Sequence, residues 1–487
     1  MGSRERIGKI SAALKLSSYS MSATSLVFSL LLVLPLCLWI PSPTLAHSLV
    51  SQLPGFPGSL PFHLETGYVN VDEEMDGNLF YYFIESENNP KQDPVILWLT
   101  GGPGCSSFCG LAFEIGPMAF DPPGYQEGLP TLFYNPLTWT KLCNIIFLDS
   151  PIGTGFSYSN RYDEYKLDDY KSTQDIHTFL RKWFADHPEF ISNPFYIAGD
   201  SYSGMIVPVV AQKIANDNDN GVEHPFNLKG YLLGNPITDY KFDHEAKIPF
   251  VHGMGLISNE LHEAIRTSCE GEYYTFPRNE QCTKNIELMD ECLAGINPVN
   301  VLDPVCPFAS PKPVRFNADR TLLEEQTMKE LHLTKSDLSK ECKTSGYLLA
   351  ANWANNVTVR ESLEIHEGTV KQWQRCDRSM PYTSNYQSVV EYHHDLTKRG
   401  YKALIYSGDH DMNAPHVGTQ AWIKSLNLTI VDDWRPWMVD SQVAGFTRKY
   451  FNNLTFATVK GAGHTAPEYK QKECLAMFQR WINDIPL

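Results

Sequence analysis

The sequence predicts an α/β fold: a mixed, mostly parallel sheet covered by helices, with an inserted cap region. Three observations predict it. Six short apolar runs, at 94–99, 144–148, 194–198, 229–233, 403–406 and 455–459, are continuous rather than alternating, as strands buried on both faces are. Between them lie segments of helical period, such as Ile176, Phe179, Leu180, Trp183 and Phe184, a core-facing stripe with no cofactor role implied. Most of the runs open directly into turns rich in Gly, Ser or Asp. The chain has 487 residues, 43% of them hydrophobic, which suffices for one large core with a cap or for two domains. Its net charge of −16 argues against a nucleic-acid partner.

Arg4, Arg6, Lys9 and Lys15 precede an apolar stretch from Leu26 to Ile40, and small residues surround Ala46. This reads as a secretory signal peptide over 1–46. A signal anchor is the weaker alternative, because the stretch is short for a bilayer span and Pro35 interrupts it. Removing it takes away four basic residues and one acidic, so the net charge moves from −16 to −19. No later run is apolar and long enough to remain as a membrane anchor.

The first element with chemistry is Ile96-Leu97-Trp98-Leu99-Thr100-Gly101-Gly102-Pro103-Gly104-Cys105-Ser106-Ser107. A buried strand runs into a Gly-rich loop whose backbone N–H groups can face a developing oxyanion. A phosphate-binding reading fails, since no Lys follows the glycines and the Walker spacing is absent.

Next, the run Pro194-Phe195-Tyr196-Ile197-Ala198 leads into Gly199-Asp200-Ser201-Tyr202-Ser203-Gly204 and then into a helical pattern from Met205. Strand, tight turn with a central Ser, and helix are the layout of a nucleophile elbow. The pattern departs from strict G-x-S-x-G, with Ser203 in place of the second Gly. Such an elbow pairs the N–H after the nucleophile, here that of Tyr202, with one from the Gly-rich loop.

From about 240 to 350 charge is dense, cysteines cluster, and Ser310-Pro311-Lys312-Pro313-Val314 reads as loop. We read 240–350 as a cap that walls off a pocket, and 47–239 with 351–487 as the core. No internal repeat or low-complexity tract is present.

Ala403-Leu404-Ile405-Tyr406-Ser407-Gly408-Asp409-His410-Asp411 is a strand opening into an acidic loop, and Asp409 and Asp411 compete for the acid's role. The Asp-His-Asp run lacks a second ligand cluster, so no metal is implied, and no organic cofactor either. Phe456-Ala457-Thr458-Val459 then leads into Lys460-Gly461-Ala462-Gly463-His464-Thr465-Ala466-Pro467. A His on a Gly-flanked loop after a strand can reach another strand's end. The order Ser, Asp, His is that of α/β-hydrolases. Ser needs the imidazole to take its proton, and the imidazole needs a carboxylate to hold its tautomer. Residues 474–482 read as a last helix covering the sheet.

These motifs, with Asp149-Ser150-Pro151-Ile152-Gly153-Thr154-Gly155-Phe156-Ser157-Tyr158, resemble the serine carboxypeptidase family over nearly the whole mature chain. The resemblance implies Ser201 as nucleophile, His464 as base and Asp411 as orienting acid, with Gly102 and Tyr202 supplying the oxyanion N–H groups. It implies disulfides Cys105–Cys376, Cys269–Cys282 and Cys306–Cys342, leaves Cys109, Cys143, Cys292 and Cys474 unassigned, and suggests cleavage within the cap into two linked chains. Family peptidases carry Asn where Thr100 stands and Glu where Asp200 stands. With a Glu matching Glu114, and beside Gly101, those groups grip a peptide's free carboxylate. The variants here resemble the plant acyltransferase branch, which moves an acyl group from a 1-O-acylglucose ester to an acceptor hydroxyl. An acid carboxypeptidase is the alternative reading, and a silent companion subunit of an active paralogue the second. The expected partners are an acylglucose donor and a hydroxyl acceptor, with the chain a monomer, a cleaved two-chain form, or paired with a paralogue. Sequons at Asn356, Asn427 and Asn453 suggest glycosylation, and the secretory route suggests the vacuole or the extracellular space.

Overall fold

The computed structural model describes residues 47–273, 279–306, 342–343 and 345–487. The expected signal peptide and the Pro-rich loop at 310–314, with the cleavage expected near it, lie outside the described residues.

The strands, in chain order, are β1 (His47–Val50), β2 (Leu64–Asp72), β3 (Gly77–Ile84), β4 (Val95–Leu99), β5 (Met118–Phe120), β6 (Leu132–Tyr134), β7 (Asn144–Leu148), β8 (Tyr158–Ser159), β9 (Phe195–Asp200), β10 (Leu228–Gly234), β11 (Lys402–Gly408), β12 (Ile430–Val439), β13 (Gln442–Tyr450) and β14 (Leu454–Val459). The main sheet has the order β1-β2-β3-β7-β4-β9-β10-β11-β14-β13-β12, with β8 joined to β3; β5 and β6 form a separate pair. The six central strands, β7-β4-β9-β10-β11-β14, are all parallel, and antiparallel strands flank them on both sides. Those six are the apolar runs of the sequence.

The reason is double burial. On β4, Ile96 and Trp98 enter a core with Tyr82, Phe147, Trp139 and Phe478. Val95, Leu97 and Leu99 enter the opposite core with Tyr81, Ile146, Phe179 and Trp183. A strand covered on both faces has no polar side to display, so alternation disappears. Truncating a fully buried residue such as Leu97 to Ala would cost about 2–5 kcal/mol. The helix Asp169–Asp186, N-capped by Asp168 accepting from the Lys171 N–H, lays the stripe Ile176, Phe179, Leu180, Trp183 and Phe184 on the second core. The helix Gln471–Ile482 covers the first, stacking Phe478 on Trp139 at 4.2 Å between ring centroids.

Between β10 and β11 the chain leaves the sheet. Helix Tyr240–Glu245 still packs Tyr240 and Phe242 against the second core, whereas helices Lys247–Gly253, Asn259–Ser268 and Glu280–Leu293 have a small apolar cluster of their own, built on Ile248, Val251, Ile265, Met289 and Leu293, and Met412 joins it from the loop after β11. The helix Ser345–Ala354 straddles residue 350, where the sequence reading ends the cap. Its Leu349, Ala350 and Trp353 already lie in the sheet's own core. Disulfides join Cys105 to Cys376, Cys269 to Cys282 and Cys306 to Cys342. Cys109, Cys143 and Cys474 are buried thiols, and Cys292 is an exposed one. Among the described residues no helix is long and apolar enough to cross a membrane.

One buried group makes the fold sensitive to acid. His393 is fully buried, bonded at Nδ1 to the Tyr231 hydroxyl (2.7 Å) and packed on Trp422. Burial pushes its imidazole down to about 3. The unfolded chain therefore binds this proton near pH 6.5 and the folded chain does not, so stability falls as pH drops from 6.5 toward 3, by up to about 1.4 kcal/mol per unit. Thermal unfolding should show a Tm that falls more steeply between pH 7 and pH 5 in the wild type than in His393→Gln. Equal slopes would contradict this.

Candidate active site

The C-terminal ends of four parallel strands, β4, β9, β11 and β14, carry the catalytic and oxyanion residues singled out in the sequence. β9 ends at Asp200 and only Ser201 and Tyr202 separate it from the helix Ser203–Asp219, which forces Ser201 to φ +56°. A non-Gly residue there is strained by about 1–3 kcal/mol and persists only when its surroundings hold it. They do: the Ser201 N–H donates to the Gly234 carbonyl (2.9 Å), and the Ser201 carbonyl accepts from the N–H groups of Ile237 (2.9 Å) and Gly204 (3.0 Å). Ser203, the departure from the strict elbow pattern, is not a passive substitute. Its hydroxyl donates to the Leu99 carbonyl at 2.9 Å and pins the elbow to β4.

The structure brings Ser201, His464 and Asp411 together. His464 Nε2 lies 2.7 Å from Ser201 Oγ, and His464 Nδ1 lies 2.7 Å from Asp411 Oδ2. Asp411 is fully buried. Its Oδ1 accepts from the Asn413 N–H (2.8 Å), and its Oδ2 also accepts from Asn235 Nδ2 (2.9 Å) and the Ala414 N–H (3.2 Å). Asp409 has another job. Its Oδ1 is bonded to His410 Nδ1 (2.5 Å) and accepts from the Gly461 N–H (2.7 Å), lacing the acid loop to the histidine loop. Those loops pass so closely that a Cβ on Gly408 would lie 2.1 Å from the Gly463 carbonyl oxygen. Burial opposes a charge on His464, but the Asp411 carboxylate and its hydrogen bond outweigh it and hold the imidazole above its ordinary value.

The Gly-rich loop lies against the elbow. A Cβ on Gly101 would come 2.6 Å from the Tyr202 nitrogen, so only Gly fits. Gly102 sits at φ +122° before a cis Pro103. Among the described residues no protein acceptor takes the N–H of Gly102 or of Tyr202, which leaves both for an incoming oxygen. The loop is anchored from below. Asp149, fully buried, accepts from the Ser106 hydroxyl (2.7 Å) and from the N–H groups of Ser107 and Phe156 (both 2.9 Å). From the side, Cys105 is tied to Cys376, and the Ser106 N–H donates to the Arg375 carbonyl (2.8 Å).

Beside the nucleophile lies a pair of carboxyls. Asp200 and Glu114 are both buried, and the Gly101 N–H donates to Asp200 Oδ1 at 3.3 Å. Burial, then the charge of Asp200, pushes Glu114 well above the usual carboxylate range. Burial raises Asp200 to about 6, against the pull of His464, the Gly101 N–H and Arg375. Glu114 therefore holds a proton, and Asp200 carries the negative charge in neutral solution. The Thr100 hydroxyl is buried with no hydrogen-bond partner among the described residues.

Three residues of this neighbourhood had no motif to announce them. Asn235, at φ +43°, donates to Asp411 and accepts from the Gly408 N–H (3.1 Å), so it joins the end of β10 to the acid loop. The only signal available was its place at a strand end next to Pro236. Arg375 lies over the Tyr347 ring at 4.0 Å and acts electrostatically on Glu114, Asp200 and His464. Glu468 accepts from the hydroxyls of Tyr347 (2.7 Å) and Thr465 (2.8 Å), next to His464 in sequence.

Such a site can transfer a proton from Ser201 Oγ to His464 Nε2 while Oγ bonds to an acyl carbon, with two N–H groups facing the oxyanion. Two outcomes follow from the distances. Asp411→Asn should lower kcat on an activated ester by roughly 10³- to 10⁴-fold, since the wrong tautomer would be held, while Asp409→Asn keeps most of the activity. The base works as neutral imidazole, so kcat/KM should rise with pH through a midpoint above 6.5, and steady-state rates across pH 4–9 would check it. Equal losses in both Asp variants, or a midpoint below 6.5, would contradict the assignment.

Comparison with known proteins agrees with this geometry. The serine carboxypeptidase family profile (peptidase family S10) matches residues 54–484. Serine carboxypeptidase-like 2 from Arabidopsis thaliana is 48% identical over 465 residues, 95% of this chain and 99% of that protein. Serine carboxypeptidase-like 10 from the same plant is 50% identical over 441 residues, 90% of this chain and 95% of that protein. Among solved structures, a prohormone-processing carboxypeptidase from Saccharomyces cerevisiae, Kex1(Δ)p, superposes with a TM-score of 0.66 at 21% identity, covering 87% of this chain and 92% of that one, which shows a shared α/β-hydrolase fold. The chain belongs to the serine carboxypeptidase family and is an enzyme of the serine-hydrolase type.

Proposed function

We propose that this protein is a serine acyltransferase of the secretory route, with the vacuole as its destination, that moves an acyl group from a 1-O-acylglucose ester to an acceptor hydroxyl. Ser201 attacks the ester carbonyl, and His464 takes the hydroxyl proton and returns it to the departing glucose oxygen. The oxyanion faces the N–H groups of Gly102 and Tyr202. The acceptor's hydroxyl then gives its proton to His464 while its oxygen bonds to the acyl carbon; the acyl–Ser201 bond breaks, and His464 returns the proton to Ser201 Oγ, which restores the enzyme.

The observation that carries the reading is the depleted grip for a peptide carboxylate. Position 100 offers a Thr hydroxyl and no amide, and position 200 offers an Asp one methylene shorter than the Glu of the peptidases. A site built to bond a polar group discriminates strongly for it, so weakening the grip shifts preference to substrates that do not need it. A specific observation favours peptidase activity as the second reading. Glu114 keeps its proton beside Asp200, and a protonated carboxyl can still donate to a peptide's terminal carboxylate in acid. The intact hydrogen-bonded chain from Ser201 to Asp411 speaks against a silent companion subunit.

Purified protein given an aromatic 1-O-acylglucose with candidate alcohols, and in parallel an N-blocked dipeptide, should form the new ester and release little amino acid. The double change Thr100→Asn, Asp200→Glu should raise the ratio of peptide hydrolysis to ester transfer by roughly tenfold, a shift of about 1.4 kcal/mol between the two transition states. Release of amino acids without transfer, or an unchanged ratio in the double variant, would overturn the proposal.

A further inference from the structure

β12 is the last strand of the main sheet. β13 pairs with one side of it, and no described strand pairs with the other. An open edge of this kind invites a second chain to add a strand, and proteins protect such edges with charge, proline or a cover. The two halves of β12 differ in this respect. Its middle carries Asp432, Asp433 and Arg435, which are tied into ion pairs (Arg435 to Asp432, Arg448 to Asp433), and Pro436, which has no N–H to offer. Its first two residues carry neither device. Ile430 is 45% exposed and Val431 60%. Phe451, 61% exposed, lies beside them, because Ile430 pairs with Tyr450 and the Phe451 N–H donates to the Thr429 carbonyl (2.8 Å). The result is an exposed apolar patch on an unpaired sheet edge.

Two sequons bracket that patch. Asn427-Leu428-Thr429 enters β12, and Asn453-Leu454-Thr455 begins two positions after Phe451. Both asparagines are exposed and stand in the left-handed backbone region, at φ +53° and +64°, on turns that lead into the sheet, Asn427 ahead of β12 and Asn453 ahead of β14. No described group holds either side chain. The third sequon is built differently: the Asn356 oxygen accepts from the Thr358 N–H (3.0 Å) and hydroxyl (2.7 Å) and caps the helix Val357–Ser362.

We propose that oligosaccharides on Asn427 and Asn453 form the cover for this end of β12, and keep Ile430, Val431 and Phe451 from pairing with the same edge of a second copy. In the modification, each Asn nitrogen bonds to C1 of an oligosaccharide carried on a lipid pyrophosphate. The C1–O bond to the pyrophosphate breaks, and the nitrogen's proton departs with the lipid pyrophosphate. The resulting hydrated, branched chains flank the patch on both sides, where no charge or proline guards it. This role is independent of the reaction at Ser201.

The full chain, secreted from plant cells, would be mapped by peptide mass spectrometry for occupancy at 427 and 453. Its mass in solution would then be followed by light scattering during size-exclusion chromatography. The glycosylated protein should be monomeric at this edge, and the Asn427→Gln, Asn453→Gln variant should show at least a doubling of apparent mass. Adding Val431→Thr and Phe451→Ser should restore the original mass, and Asn356→Gln should leave it unchanged. Where the double variant fails to fold, trimming the sugars from the folded protein with an endoglycosidase gives the same comparison. Unoccupied sites, an unglycosylated protein with unchanged mass, or association that survives the Val431 and Phe451 changes would each overturn the proposal.

Discussion

The hydrogen bond between Asp411 and His464 is the interaction on which the site depends. It fixes the imidazole so that Nε2, and not Nδ1, meets Ser201, and it requires a carboxylate with no exposure to water. A buried charge of that kind is costly unless its oxygens are satisfied. Here two backbone N–H groups, the Asn235 amide and the imidazole itself satisfy them. Each of those donors comes from the end of a parallel strand or the loop after it, so the parallel register of β10, β11 and β14 is what makes the bond possible. The inserted segment contributes from outside the sheet. The Val299 carbonyl accepts from the His464 N–H (2.6 Å), the Pro298 carbonyl accepts from the Met412 N–H (2.9 Å), and the Val301 N–H donates to the His410 carbonyl (3.0 Å). The inserted segment, the acid loop and the histidine loop are therefore one hydrogen-bonded unit.

The legible parts of the fold were those where one physical demand dominates. Strands buried on both faces must be apolar throughout, so the six parallel strands stood out. The antiparallel flanks were hidden for different reasons. β2 mixes Glu65 and Asn70 into its apolar pattern, and the Tyr81 hydroxyl satisfies Glu65 inside the fold, a pairing that sequence cannot display. The β12–β13 hairpin turns at Asp440 and Ser441, both at positive φ, without the Asn-Gly pair that normally signals such a turn. Pro436 in the middle of β12 further reads as loop, and is tolerated because the strand is an edge.

In the site, the residues on strand-end motifs were readable because each motif combines a strand, a small-residue turn and a chemical group. Asp409 and Asp411 could not be told apart by the residues alone, since both follow the same strand. The distinction rests on loop geometry, which gives Asp409 to His410 and Gly461. Asn235 and Arg375 were invisible for a deeper reason. Their roles depend on neighbours far away in sequence, Asp411 for one and the Tyr347 ring with the Glu114–Asp200 pair for the other. That carboxyl pair links fold to the proposed specificity: the burial that raises both groups leaves a protonated Glu114 and a charged Asp200 beside the nucleophile.

The central claim is that Ser201 carries the acyl group between donor and acceptor. Its most direct test is mass spectrometry of the whole protein, acid-quenched within the first turnover after mixing with an acylglucose and no acceptor, followed by peptide mapping. The account predicts a mass increase equal to the acyl group, located on the peptide containing Ser201 and discharged when an alcohol is added. Turnover without any covalent adduct, or an adduct on a different residue, would contradict it.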